Sequence, residues 1–555
     1  MYCKAEMLLL LYNRAILEKK VIFMSFKENS YQQISFTDSF SGLTAREQKA
    51  LEKSWAKVFA DEIFPAIDEK RFSVLYSNKA SRPNTPVNVI VGALIIKELF
   101  DYSDDEMVEN LMLDFRLQYA LHTTSFEEQP LSDKTLSRFR RRCYDYETLH
   151  NKDLYHDCVN DLSASIAKLM RISGKIRRMD SMMIESNIRK LSRMELIYTC
   201  ISKLAVSMNK ANDSALPEDL KHYTDPNDFN RVIYHQRSTD AEERLKQLLA
   251  DADKLLTLCE SEYQDSTEYD LFVRCLSEQT VVENGTRRLR TKEDGGMNSS
   301  MMQNPSDPEA TFRSKAGKEH RGYTANLEES VDKNGSIVTD YQYDQNNHSD
   351  SQFLQEHLEQ MEKQEERTVI ITDGAYSGTE NTQLASEKNV ELITTSLTGK
   401  FAPDILADFE FNEEGTKVLR CPAGYAPKSC SYMKQSRQCA VSFLHEQCAN
   451  CPYQDQCKPK IFKRVAKIVT SKAAHERAKI QRDMSSEEFK NYARLRNGVE
   501  TVPSNIRRNY HLEKMPCGKQ RGKFFFGSKI AALNFRKLFN YVKGLGNYAQ
   551  NPVLA

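Results

Sequence analysis

The sequence predicts a mixed α/β domain interrupted by a helical subdomain and preceded by an all-helical domain. Three observations carry this. Two short strand-like runs far apart in the chain each end on an aspartate, at Asp180 and at Asp373 within "TVIITDGAYSG" (Thr368–Gly378). Between them, Leu245, Leu248, Leu249, Ala252, Leu255, Leu256 and Cys259 form an i, i+3, i+4, i+7 stripe, the pattern of an amphipathic helix. Six of the 13 cysteines crowd between Cys421 and Cys457, marking a small unit late in the chain.

At 555 residues the chain has room for about three domains. Its formal net charge is zero, so any electrostatic footprint must be local. The opening "MYCKAEMLLLLYNRAILEKK" has a short apolar run broken by Arg14. That run is shorter than the ~20 residues a membrane span needs, and no small-residue cleavage site follows. Residues 1–40 are expected to be a poorly structured extension, with Met24 an alternative start to Met1 and the protein cytoplasmic.

Residues 41–150 read as an N-terminal helical domain. "VNVIVGALIIKELF" (Val87–Phe100) is apolar on most faces, as a buried helix would be, and "SDDE" (Ser103–Glu106) has capping-box spacing for the next. "LSDKTLSRFRRR" (Leu131–Arg142) opens on Ser/Asp cap candidates and carries Lys134, Arg138, Arg140, Arg141 and Arg142. Such a helix suits docking on DNA as well as it suits a solvated charged face.

From 171 to 400 the pattern is that of a mixed domain, with a helical insertion over about 190–300. The residues Gly322–Val331 and Ser336–Tyr343 flank Asn334-Gly335, a hairpin signal. A segment capped at Asp350/Ser351 and carrying Phe353, Leu354, Leu358 and Met361 is the next helix; strands follow at Thr368 and over Val390–Leu397.

Strands that neighbour each other in one sheet bring their ends within a few ångströms, so Asp180 and Asp373 are candidates for one site. Paired carboxylates of that kind can bridge two Mg²⁺ ions ~3.5–4 Å apart in phosphodiester chemistry. A third acid is expected from a helix packed on the same sheet. The candidate is Glu500 in "YARLRNGVETVPSNIRRNY" (Tyr492–Tyr510), with Arg496 one turn before it and Arg507 seven residues after. Pro503 disfavours an uninterrupted helix, which sets Glu500 at a kink or a helix end.

"TDGAY" around Asp373, "MDSMMIESNIRK" around Asp180 and Arg-x3-Glu-x6-Arg around Glu500 resemble the three catalytic motifs of bacterial insertion-sequence DDE transposases. The stretch "SRPNTPVNVIVGALIIKELF…PLSDKTLSRFRRR" is similar to that group's N-terminal helical domain, and Ser306–Ala325 to its second-strand region. The resemblance runs from about residue 70 to the C-terminus. It implies a ribonuclease H-like core and DNA strand cleavage and transfer dependent on two Mg²⁺ (or Mn²⁺) ions. The implied partners are double-stranded DNA, as terminal inverted repeats and as target, with a homodimer on the DNA, in the bacterial nucleoid and away from membranes. Asp180, Asp373 and Glu500 inherit the metal-binding roles; Tyr376, Arg496 and Arg507 match positions that contact DNA. The family's Tyr before the Arg is displaced, since Tyr492 stands one residue too far. A catalytically silent DNA-binding regulator and a nuclease without strand transfer are the alternatives.

Cys448-x2-Cys451-x5-Cys457, preceded by Cys421-Pro422, suits tetrahedral structural Zn²⁺ in an insertion over 415–465, with Cys430, Cys439 and His445 as substitute ligands. A C-terminal part of the core, 466–545, would carry Glu500 and a basic tail. Two basic windows are expected to meet phosphate. Lys458–Arg482 holds nine Lys/Arg against Glu476, and Arg507–Lys543 holds ten against Glu513. The aromatics of the second window are expected to be core.

Overall fold

The computed structural model describes residues 24–29, 39–77, 82–132, 134–212, 215–233, 241–259, 263–315, 317–395, 402–512, 515–545 and 552–554. The leading residues 1–23 and the cap candidate Asp133 lie outside them. No described helix is long and apolar enough to cross a membrane.

The N-terminal region is helical as its periodicity requires: α1 (Ala45–Glu52), α2 (Val87–Phe100), α3 (Asp104–Leu113), α4 (Thr135–His150) and α5 (Leu154–Leu169). Every residue of α2 but Phe100 is buried, which matches its all-round apolar sequence. Ser103 and Glu106 form the expected capping box at the start of α3. α4 begins two residues later than a Ser132 cap would place it, with Lys134 as N-cap.

β1 (Ile176–Glu185) opens the mixed domain and is followed by the insertion, α6 (Arg193–Ala211), α7 (Ala241–Cys259) and α8 (Thr267–Gln279). Leu248, Leu249, Ala252, Leu255 and Cys259 of α7 pack with α6 and α8 into a core of their own. The insertion does not stay helical to its end: Thr280–Glu283 and Thr286–Leu289 pair as a hairpin. Asn284 and Gly285 both take positive φ (50° and 77°), the turn that an Asn-Gly pair favours.

The chain then returns as β2 (Thr311–Lys315), β3 (Lys318–Asp332), β4 (Gly335–Gln345), α9 (Asp350–Gln360), β5 (Thr368–Thr372), α10 (Thr379–Glu387) and β6 (Val390–Thr394). Ser349, not Asp350, caps α9, in a box with Gln352. The sheet runs β6-β5-β1-β3, with β2 on the first residues of β3 and β4 on the rest. β6, β5 and β1 are mutually parallel; β1, β3 and β4 alternate direction. One face packs on α9 and α10 through Met179, Leu354, Leu358 and Ile370.

The other face lies under the C-terminal helices, α12 (Glu487–Asn497), α13 (Thr501–Asn509) and α14 (Lys519–Val542). α14 presents Phe524, Phe526 and Phe535 to a single core shared with the N-terminal helices and with Tyr323, Leu327 and Tyr341 of the sheet. Gly522 and Gly527 let this helix settle on Tyr343 and Tyr341, where a Cβ would overlap the tyrosine hydroxyls. Four lysines of α14 are therefore paired within the protein. Lys519 pairs with Asp344, Lys523 with Asp153, Lys529 with Glu98 and Lys537 with Glu329. That narrows the phosphate footprint expected along Arg507–Lys543: four of its ten cations are held by carboxylates of the protein, while Arg507, Arg508, Arg521 and Arg536 remain exposed.

Between sheet and helices, the Cys-rich segment forms a second, four-stranded sheet: β7 (Ser429–Met433), β8 (Gln438–Leu444), β9 (Lys460–Ile461) and β10 (Val465–Thr470), ordered β7-β8-β10-β9. α11 (Lys472–Asp483) leads back towards the main sheet.

A buried charge chain ties β3, β4, α5 and α9 together. His357 Nε2 lies 2.7 Å from Glu328 Oε2, a close ion pair rather than an aligned hydrogen bond, and its Nδ1 lies 3.2 Å from Asp340 Oδ2. Asp340 also holds His156 at 2.9 Å. Burial opposes charge on His357, but Glu328 and Asp340 outweigh it and push its pKa up to about 10. Burial likewise opposes ionised Glu328, yet His357 and Arg177 pull it down to about 2. The raised His357 value contributes stability that is complete below its ordinary pKa and is lost as pH rises through about 10. The depressed Glu328 value contributes above its ordinary pKa and is lost as pH falls through about 2. His357→Asn should cost about 3–5 kcal/mol at pH 6, the range for removing one partner of a buried pair. Urea unfolding at pH 6 and pH 10 should show that gap closing on the alkaline side; a pH-independent gap would contradict the charge assignment.

Candidate active site

The register of the main sheet sets the geometry. β1 and β5 run parallel with Arg178 beside Ile371, so continuing two residues past this last pair brings Asp373 level with Asp180. Asp180 shares its face of β1 with Arg178, Met182 and Ile184, the face covered by α12–α14. Asp373 leaves β5 at once into a single 3-10 turn, Gly374–Tyr376, and its Oδ1 accepts from the Ala375 amide at 2.9 Å. The Asp-Gly turn signal and the strand-end carboxylate are thus one feature.

Glu500 arrives from the helical side. Gly498–Glu500 is a 3-10 segment between α12 and α13, so Glu500 stands at a helix joint as Pro503 implied. Pro503 itself falls in the first turn of α13, where its missing N–H breaks no helical bond. Leu495, Val499, Val502 and Ile506 are buried and fix the rotation of this segment.

All three carboxylates meet at Arg496. Its Nη2 lies 3.3 Å from Asp180 Oδ1 and 3.7 Å from Asp373 Oδ2, and its Nη1 lies 2.9 Å from Glu500 Oε1. The site grades outward, with side-chain exposures of 15% for Asp180 and Arg496, 31% for Asp373 and 61% for Glu500. Burial raises the Asp180 pKa, Arg496 lowers it and Asp373 raises it, leaving it pushed up to about 6. Two carboxylates side by side need a cation to be ionised together, and Arg496 supplies it. Among the described residues no group of three His, Cys, Asp or Glu side chains stands ready to hold an ion; here a guanidinium occupies the centre of the three.

Arg178, which the sequence reading passed over, holds the two halves together. It is buried, donates from Nε to Glu329 Oε2 at 2.7 Å, and caps the Leu495 carbonyl one residue before Arg496. Lys537 of α14 shares Glu329 at 2.5 Å. Gly498 is needed beside it, since a Cβ there would overlap the guanidinium. The signal was available: Arg178 stands two residues before Asp180, on the same face of the strand.

The other candidates divide. Arg507 is exposed and donates to the Met183 carbonyl of β1 at 2.9 Å, so it lies over the same strand. Arg138 and Arg141 are exposed one turn apart on α4. Arg140 instead is buried in an ion pair with Asp104. Tyr376 corrects an expectation: it is fully buried, its hydroxyl donating to Asn326 Oδ1 at 2.6 Å, so it has no surface to offer DNA. The residue sits on the first turn after Asp373, which directs its ring into the α9/α10 core.

Cys421, Cys448, Cys451 and Cys457 line one small cavity with Phe409, Phe443 and Ile468. Burial raises the Cys457 thiol to about 11, and the three neighbouring sulfurs add to it. Cys439 is buried on the inner sheet face, with Cys430 beside it, and His445 is bonded to the Phe462 carbonyl.

Two family matches frame this geometry. The family described as "Transposase domain (DUF772)" matches residues 47–142, the N-terminal helices. The family described as "Transposase DDE domain" matches residues 420–539, from the cysteine unit through Glu500 and α14. In these two segments the chain is similar to transposases, the second segment being that of a DDE domain. No curated protein and no solved structure matches the chain. The two matches leave β1 and β5 uncovered, yet the third acid of the matched segment meets Asp180 and Asp373 from those strands at Arg496.

Proposed function

We propose that the chain is a transposase that binds the terminal inverted repeats of an insertion sequence and cleaves and transfers DNA strands at a site built from Asp180, Asp373 and Glu500. The observation that carries this is the meeting of three acids, remote in sequence, around one guanidinium: Asp180 in the middle of β1, Asp373 just past the end of β5 and Glu500 between α12 and α13. The strand order, with three antiparallel strands joined to two parallel ones, supports a ribonuclease H-like core running over 171–400 and 466–545. The helices of 190–300 would be its insertion and residues 41–150 its helical partner.

An all-oxygen set of this kind fits Mg²⁺ or Mn²⁺, and Asp180, Asp373 and Glu500 would hold two such ions. When bound, the ions would supply a nucleophilic oxygen and stabilise the leaving oxygen of an in-line displacement at phosphorus. The protein's own groups do the rest. Asp180 is held on β1, Asp373 on the turn that ends β5, and Glu500 on the joint between α12 and α13. Arg496 balances the carboxylates in the metal-free chain and is placed to pair with a phosphate instead, as a bidentate donor. Arg507 lies over the same strand, and Arg138 and Arg141 offer α4 to the duplex backbone. Holding both element ends would require a dimer.

The four thiols that line the Cys421 cavity would be the ligands of a structural Zn²⁺, drawn closer together than they stand here, with no open position for catalysis. Metal analysis of the purified protein should give zinc, and Cys448→Ser with Cys451→Ser should remove it; undiminished zinc in the double variant would exclude these ligands. The function itself is tested by Mg²⁺-dependent cleavage of DNA carrying the inverted repeats that flank the gene.

A further inference from the structure

The basic stretch Lys458–Arg482 is built differently from the one on α14, and its sheet has a face that nothing covers. In the four-stranded sheet, Cys439, Val441 and Phe443 of β8 turn inward to the cysteine cavity. The alternate residues turn outward, and cross-strand pairing aligns them: Ser431 with Ala440 and Val469, and Ser429 with Ser442 and Lys467. The centre of this outer face carries Ser429, Ser431, Ala440 and Ser442, with the exposed side chains of Val469, Met433 and Leu444 around them. Its margins are basic, with Lys434 and Arg437 at the β7–β8 turn and Lys463 and Arg464 at the β9–β10 turn. Seven residues of β8 separate the two ends, about 23 Å at strand rise.

Two features mark the face as a receptor for an anion. Residues 429–444 and 460–470 contain six Lys/Arg and no Asp or Glu. None of the six forms an ion pair with a described residue, whereas four lysines of α14 are paired with carboxylates of the protein. Lys460 also stands directly opposite Lys467 across β9 and β10, and Lys467 has the Phe462 ring near its ammonium at 5.7 Å. Like charges in direct cross-strand register destabilise a sheet, so the unliganded protein carries a repulsion that a polyanion would relieve.

We propose that this face of the Cys-rich unit is a second DNA-docking surface, taking the phosphate backbone of a duplex outside the catalytic site. This rests on the transposase reading given above. Duplex DNA is the occupant that fits: its charge is continuous along the axis, and the small Ser and Ala side chains allow its backbone to lie close. A second copy of the chain would bring the same uncompensated cations against this face and be repelled.

The experiment measures binding of a labelled random-sequence duplex over a range of salt. It compares the wild type with Lys460→Gln/Lys463→Gln/Arg464→Gln/Lys467→Gln. Each lost phosphate contact lowers the salt slope by about 0.9, so the slope should become shallower by about three to four units, with weaker binding at low salt. Cleavage at the inverted repeats by saturating protein should persist, because these groups lie outside the acid site. The single variant Lys460→Gln should melt at the same temperature as the wild type or higher without DNA, since it removes a repulsion; a lower melting temperature would make the residue structural and overturn the proposal. Unchanged affinity and slope in the quadruple variant, with a wild type that binds, overturns this surface alone. A wild type that binds no DNA overturns the transposase reading and the surface with it.

Discussion

Asp373→Asn is expected to lower Mg²⁺-dependent strand cleavage by more than about 100-fold and to leave binding to the element ends largely intact. Losing a mere partner of a metal ligand costs about 10–100-fold, and Asp373 would be a ligand itself. Its substitution by Asn keeps volume and keeps an acceptor for the Ala375 amide, so the turn after β5 should survive. It removes one of the three negative charges that Arg496 balances. The folded variant should therefore be no less stable than the wild type, which separates loss of chemistry from loss of fold. A variant that cleaves at the wild-type rate would exclude Asp373 from the site.

Arg178→Met should have the largest effect on stability. The guanidinium joins Glu329 of β3 to the Leu495 carbonyl of α12, and both partners are buried. Methionine fills similar space but leaves Glu329 with Lys537 as its remaining cation and the Leu495 carbonyl with only the Gly498 amide. Breaking a buried pair costs about 3–5 kcal/mol, measurable as a shift of the denaturant midpoint. Cleavage by the remaining folded protein should fall as well, because Leu495 adjoins Arg496 and α12 carries Glu500 into the site. A destabilised variant with full activity would assign Arg178 to the fold and not to the placement of the acids.

The parts of the fold that the sequence displayed are those with a local physical signature. The α2 run, the α3 capping box, the α7 stripe and the β3–β4 hairpin all satisfy their requirements within a few residues. Asp373 was legible at its strand end for the same reason, whereas Asp180, expected to end a strand, lies in the middle of β1, which runs on to Glu185. The hairpin after α8 was readable too, since Asn284-Gly285 follows β-branched Thr280, Val281 and Val282, but the strong helical pattern before it dominated the reading. What could not be read was long-range. Net charge in a window says nothing of which cations are paired, and Lys529 and Lys537 look no different in sequence from Lys463 and Lys467. Only the packing of α14 against the N-terminal helices and the sheet separates them. Tyr376 failed for a related reason: a motif gives the order of residues, while the turn after Asp373 decides which way the ring points.

The most direct measurement is cleavage by the wild-type protein of a DNA fragment containing the gene's flanking inverted repeats, with and without Mg²⁺. The expected result is a cut at the outer edge of a repeat that leaves a 3′-hydroxyl, absent without the ion and followed by joining of that end to a second DNA. Specific binding to the repeats with no cut at any Mg²⁺ or Mn²⁺ concentration would contradict it.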